Sequence, residues 1–161
     1  MPGRKTHMRA GAISGAMYAG YRARNQAPNS QLIEVLGGVV GGLIGGSLPD
    51  IIEPAVSSWH RSTGHSCAAG AAIVSSGSLL ASYEAYCRDK AARSRPVHRG
   101  IVLSPQGHVL SPVPNSIVAN LTELLWIFLA GCLNGIAAGY ISHLALDAGQ
   151  PRSIPLLKQG M

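Results

Sequence analysis

The sequence predicts an all-α protein, an up-down bundle of about four mostly membrane-embedded helices forming one domain of 161 residues. Three observations carry that prediction. Apolar residues make up 47% of the chain and charged residues only 12%, about half the usual fraction, which is too little charge to clothe a fully wetted surface. Glycine is abundant, with 20 residues, while Phe occurs once, and small residues are what closely packed membrane helices favour. Four apolar segments recur along the chain with helical rather than alternating character.

The first segment runs from about Ala10 to Tyr21 and is too short to span a bilayer alone, so it reads as a half-span or an interfacial helix. The second, about Leu32 to Leu48, carries no charge from Val35 to Pro49. Its core is LGGVVGGLIGG, with glycines at 37, 41 and 45 and again at 38, 42 and 46. A spacing of four puts each set on one helical face, which in lipid makes a groove for a neighbouring backbone. The third segment, about Ser66 to Tyr86, is a marginal span. The fourth, about Ile117 to Leu146, is uncharged from Leu124 to Ser142 and is long enough to cross. Residues 88–115 form one polar insertion, a loop or a small hairpin around Gln106-Gly107 whose prolines confine it to an edge pair. Tyr21, Tyr83 and Tyr86 fall near one set of helix ends, and Trp59 and Tyr140 near the other, like two aromatic belts.

The charge of +6 resides in the loops and helix ends, which suits a membrane surface better than a nucleic-acid groove, and no nucleic-acid partner is expected. Seven basic residues fall at one end of the bundle and six at the other, too even a split to set orientation by the positive-inside rule. The three cysteines, Cys67, Cys87 and Cys132, form no CxxC pair and suggest neither a disulfide framework nor a cysteine zinc site. The basic N-terminus leads into an apolar run interrupted by Arg22 and Arg24, and no removable signal peptide is expected. Nothing in the pattern fixes an oligomeric state.

The chemistry lies in where the polar residues fall. His7 precedes the first helix, Asp50 and Glu53 follow the second, His60, Arg61 and His65 precede the third, and His143 and Asp147 end the fourth. If successive helices alternate in direction, as short connections favour, all of these groups meet at one end. His143 and Asp147 are four apart, one turn up the same helical face. Imidazole nitrogens and carboxylate oxygens suit zinc, with manganese or iron(II) as alternatives. Ionisable groups at membrane helix ends are costly unless paired or hydrated, which makes this end the functional candidate. The bland alternatives are an ordinary helical pair for His143 and Asp147, a loop cap for Asp50, a solvated carboxylate for Glu53 and a snorkelling side chain for Arg61.

The stretch LPDIIEPAVSSWHRSTGHS resembles the signature of the YdjM-like family of bacterial inner-membrane, metal-dependent hydrolases, which reads LPD-x-D-H-P, a short spacer, then HRG-x-THS. Leu48-Pro49-Asp50 and Pro54 match the first part, and His60-Arg61 and His65-Ser66 the second, with Ser62 and Gly64 as departures. His7 looks like the family's N-terminal histidine, and SHLALDAGQPRSIPLL, with His143 and Asp147, like its closing motif. The resemblance implies a divalent metal held by His7, Asp50, His60, His65, His143 and Asp147. With that metal, Arg61 would orient an anionic or phosphoester substrate such as a lipid headgroup, and Glu53 would serve as a general base where it is not itself a ligand. Ile52 stands where the family has a second Asp, and Glu53 where it has His. That departure leaves two readings open: a membrane-bound hydrolase, or a non-catalytic membrane scaffold or metal-binding regulator. A soluble helical domain is a third reading, suggested by the low mean hydropathy of +0.20.

Overall fold

Glycine at every fourth position lets three helices pack backbone against backbone. The structure is a computed structural model that describes residues 3–52, 66–95 and 117–148. In chain order its helices are α1 (Arg4–Arg22), α2 (Pro28–Gly45), the short α3 (Leu48–Ile52), α4 (Cys67–Ser75), α5 (Gly77–Ser94) and α6 (Ile117–Ala148). The described residues are all-α. Helix α2 packs on both α1 and α6, which also meet each other, and uses a different glycine row against each. Gly38, Gly42 and Gly46 face α1, where a Cβ on Gly42 would collide with the Gly11 carbonyl. Gly37, Gly41 and Gly45 face α6, where a Cβ on Gly41 would collide with the Cys132 carbonyl. Gly131, Gly135 and Gly139 of α6 complete the seam against the Glu34, Gly38 and Gly42 carbonyls. The paired residues run in opposite order along α1 and α2 and in the same order along α2 and α6, so α1 is antiparallel to both.

The burial pattern is inverted relative to a soluble domain. The largest fully buried side chains are His143, Glu34, Glu84, Asn134 and Pro49, four of them polar. Leu32, Leu36, Val40 and Ile44, by contrast, form an exposed apolar stripe down the outside of α2. In water such a stripe would drive aggregation; in lipid it is the expected outer face. Two helical stretches, Pro28–Ile52 and Ile117–Ala148, are long and apolar enough to cross a bilayer.

The helices depart from the apolar segments at four places. Helix α1 begins at Arg4, so His7 lies inside it and not ahead of it; Arg4, Lys5 and Arg9 are helix formers that hydropathy overlooks. The third segment is two helices, because the run Ser75-Ser76-Gly77-Ser78 interrupts it and the Ser76 hydroxyl donates to the Ile73 carbonyl at 2.7 Å. Helix α5 continues to Ser94, which makes residues 88–94 helical instead of part of an insertion. The i,i+4 pairs Glu84–Arg88 and Asp89–Arg93 support that extension. Tyr140 is buried and does not belong to an aromatic belt, because it shares the inward face with His143, Leu144 and Asp147. Tyr21, Tyr83 and Tyr86 are exposed as a belt requires, and Tyr86 meets Trp126 edge to face at 5.8 Å. Trp59, the hairpin around Gln106-Gly107 and the tail after Pro151 lie outside the described residues.

Candidate metal centre

The glycine seam determines what the helices deliver at their ends. It brings the end of α2 close enough that the Gly46 carbonyl accepts a hydrogen bond from His143 Nδ1–H at 2.7 Å. That contact sets the tautomer of His143 and turns Nε2 toward the carboxylates. His143 Nε2 lies 3.5 Å from Asp147 Oδ2, one turn along α6, and 3.7 Å from Asp50 Oδ1, presented by α3. From α1, His7 stacks on His143 with ring centroids 3.8 Å apart and an interplanar angle of 20°. His7 Nε2 is 3.5 Å from Asp147 Oδ1.

These separations test whether the residues fit a metal. At 3.5–3.7 Å the side chains sit beyond good direct hydrogen bonds to one another. Two ligands of a tetrahedral ion with bonds of about 2.0–2.1 Å stand roughly 3.3–3.4 Å apart. His7, His143 and Asp147 each offer a donor atom, and these lie within 4.8 Å of one another. Two imidazoles and two carboxylates bring a formal charge of −2 to a largely buried place, which a divalent cation would balance. The donor set fits such an ion. The site is also asymmetric: the side chains of His7, His143 and Asp147 are 0–4% exposed, whereas that of Asp50 is 34% exposed, so the carboxylate of α3 marks the accessible side.

Of the residues singled out in the sequence, His7, Asp50, His143 and Asp147 are brought together from α1, α3 and α6. Glu53, His60, Arg61 and His65 lie outside the described residues. Ile52 is 60% exposed.

A second polar cluster escaped the sequence reading. Toward the other end of the bundle, Arg88 of α5 grips Glu34 of α2 with two bonds, Nε to Oε1 at 2.9 Å and Nη2 to Oε2 at 2.7 Å. Its Nη1 also reaches Glu84 Oε1 at 2.6 Å. Arg22 Nη2 of α1 holds Glu84 Oε2 at 2.6 Å, and Asn134 of α6 donates to the same oxygen at 3.1 Å. Two arginines and two glutamates cancel, so the cluster clamps α1, α2, α5 and α6 without net charge. The available signals were Glu34 and Glu84 set among apolar helical residues, and the i,i+4 order of Glu84 and Arg88. Nearer the α6 start, Glu123 pairs with Arg95 at 2.7 Å.

An inverted helical bundle with polar groups gathered in its interior and apolar stripes outside is the architecture of an integral membrane protein. The family model of the YdjM inner membrane protein matches residues 1–158, and the chain belongs to that family. Neither the comparison with curated proteins nor that with solved structures gives a match.

Proposed function

We propose that this membrane protein is a metal-dependent hydrolase whose divalent ion, zinc first among the candidates, is held by His7, Asp50, His143 and Asp147. The reading rests on the 3.5–3.7 Å spacing of imidazole and carboxylate atoms in a buried pocket with one accessible side. When bound, the ion would lower the pKa of a water and polarise a scissile oxygen. The protein's own contribution is placement. Gly46 orients His143, the stack with His7 restrains both rings, and burial of Asp147 keeps its carboxylate dry. His60 and His65 are proposed as further ligands, Arg61 as the group that orients an anionic phosphoester, and Glu53 as the base, all from their positions in the motif.

Hydrolysis of a phosphodiester and a phospholipid by purified protein, followed by the same assay on Asp50→Asn, tests the proposal. Metal-dependent turnover that falls at least 100-fold in the variant supports it. Bound metal with no turnover on either ester favours the second reading, a metal-binding scaffold or regulator. The observation behind that second reading is Ile52, an exposed aliphatic side chain at the position where the motif resemblance expects a carboxylate.

A further inference from the structure

An apolar groove runs along α6 at a level further into the bundle than the His–Asp cluster, on the side walled by α1, α4 and α5. Its volume is about 430 Å³, within the range of small-molecule sites. Among the described residues, Ala138 and Ser142 of α6, Ser14 and Tyr18 of α1, and Val74 and Leu80 of α4 and α5 form its walls. The break between α4 and α5 widens it, because Gly77 has no side chain and a Cβ there would meet nothing within 4 Å.

Position relates the groove to the cluster. On α6, Ser142 is next to His143 in sequence, and Ala138 lies about 7.5 Å further inward than His143 at 1.5 Å per residue. On α1, Ser14 lies two turns, about 10 Å, from His7. The same two helices therefore carry the donor atoms at one end and the groove walls at the next level in. The rim is apolar and open, with Val74 70% and Tyr18 37% exposed, and Met17 and Leu79, next to Tyr18 and Leu80 in sequence, are exposed as well. In an inner-membrane protein such a rim meets lipid, so the molecule at hand to enter the groove is a lipid chain.

We infer that the groove receives an acyl chain of a membrane lipid whose headgroup lies at the end of the bundle that carries the His–Asp cluster. The substrate class is then an amphiphile extracted sideways from the bilayer, rather than a water-soluble ester. This inference rests on the proposed function for the headgroup's fate, but chain binding is measurable without turnover. Apart from the hydroxyls of Ser14, Tyr18 and Ser142 the walls supply apolar contact, which suits a hydrocarbon chain and not a sugar or nucleotide.

The test uses the full-length protein in phosphatidylcholine vesicles containing phosphatidylglycerol with a diazirine in its acyl chain, followed by peptide mapping after illumination. Labelling is expected to concentrate on residues 14–18, 74–80 and 137–142, at least fivefold above the exposed Leu32–Ile44 stripe. Ala138→Trp, which fills the groove from α6, and Val74→Trp, which fills it from the exposed opposite wall, should each reduce that labelling at least fivefold and leave metal content unchanged. Uniform labelling of all lipid-facing surfaces, or labelling indifferent to both tryptophans, overturns the inference. Groove labelling with no hydrolysis of any ester upholds chain binding and removes the hydrolase reading. Turnover of a soluble phosphodiester without groove labelling does the reverse.

Discussion

Removing Arg88 should destabilise the bundle more than removing Arg88 and Glu34 together. The Arg88 guanidinium makes two hydrogen bonds of 2.7–2.9 Å to Glu34 and an ion pair of 2.6 Å with Glu84, and Glu34 has no other charged partner among the described residues. Arg88→Met therefore strands Glu34, whose side chain is 1% exposed, while Glu84 retains Arg22 and Asn134. Breaking a buried pair from one side costs about 3–5 kcal/mol. The Arg88 side chain is 24% exposed, so some of its loss is made good by solvent and the lower end, about 3 kcal/mol, applies. Arg88→Met with Glu34→Met removes both charges and leaves apolar side chains, for which about 1 kcal/mol is expected. Reversible unfolding in mixed micelles measures both values. Circular dichroism follows the whole bundle, and the fluorescence of Trp126, which packs on Tyr86 of α5, follows release of that helix in a Trp59→Phe background. A single variant within 0.5 kcal/mol of the parent, or a double variant no better than the single, would refute the reasoning.

Three further outcomes follow from the packing and the site. Gly42→Ala puts a methyl against the Gly11 carbonyl, so unfolding measurements should show a loss of about 1–3 kcal/mol and metal titration a weaker site, because α1 can no longer hold His7 in place. Gly77→Ala, where a Cβ meets nothing, should be neutral or stabilising by up to about 1 kcal/mol in the same assay. Arg95→Ala removes a pair whose arginine is 56% exposed, and its cost should stay below about 1 kcal/mol and shrink in high salt.

The fold was legible in the sequence where one physical rule dominates. The spacing of glycines 37–46 announced two contact faces, and the structure assigns one to α1 and the other to α6. The alternation of helix direction was enough to bring His7, Asp50, His143 and Asp147 to one end. Hydropathy misled where helices are held by charge. Helix α5 reads as a polar tail from Arg88 onward, yet Glu84 and Arg88 are what bind it to the bundle. A buried carboxylate such as Glu34 looks like a segment boundary until its arginine is known, and that arginine is 54 residues away in sequence. Tyr140 shows the same limit: aromatic residues near a helix end suit a belt, but the rotation of α6 turns this one inward with His143.

The central claim is that buried imidazoles and carboxylates share one divalent ion. X-ray absorption at the zinc edge, on protein purified in detergent and loaded with one equivalent of zinc, addresses it directly. A nitrogen and oxygen shell at about 2.0–2.1 Å with imidazole scattering and no sulfur is expected, and loss of the bound zinc in His143→Ala. Zinc that fails to bind the folded parent protein, or a sulfur shell at about 2.3 Å from the cysteines, would contradict it.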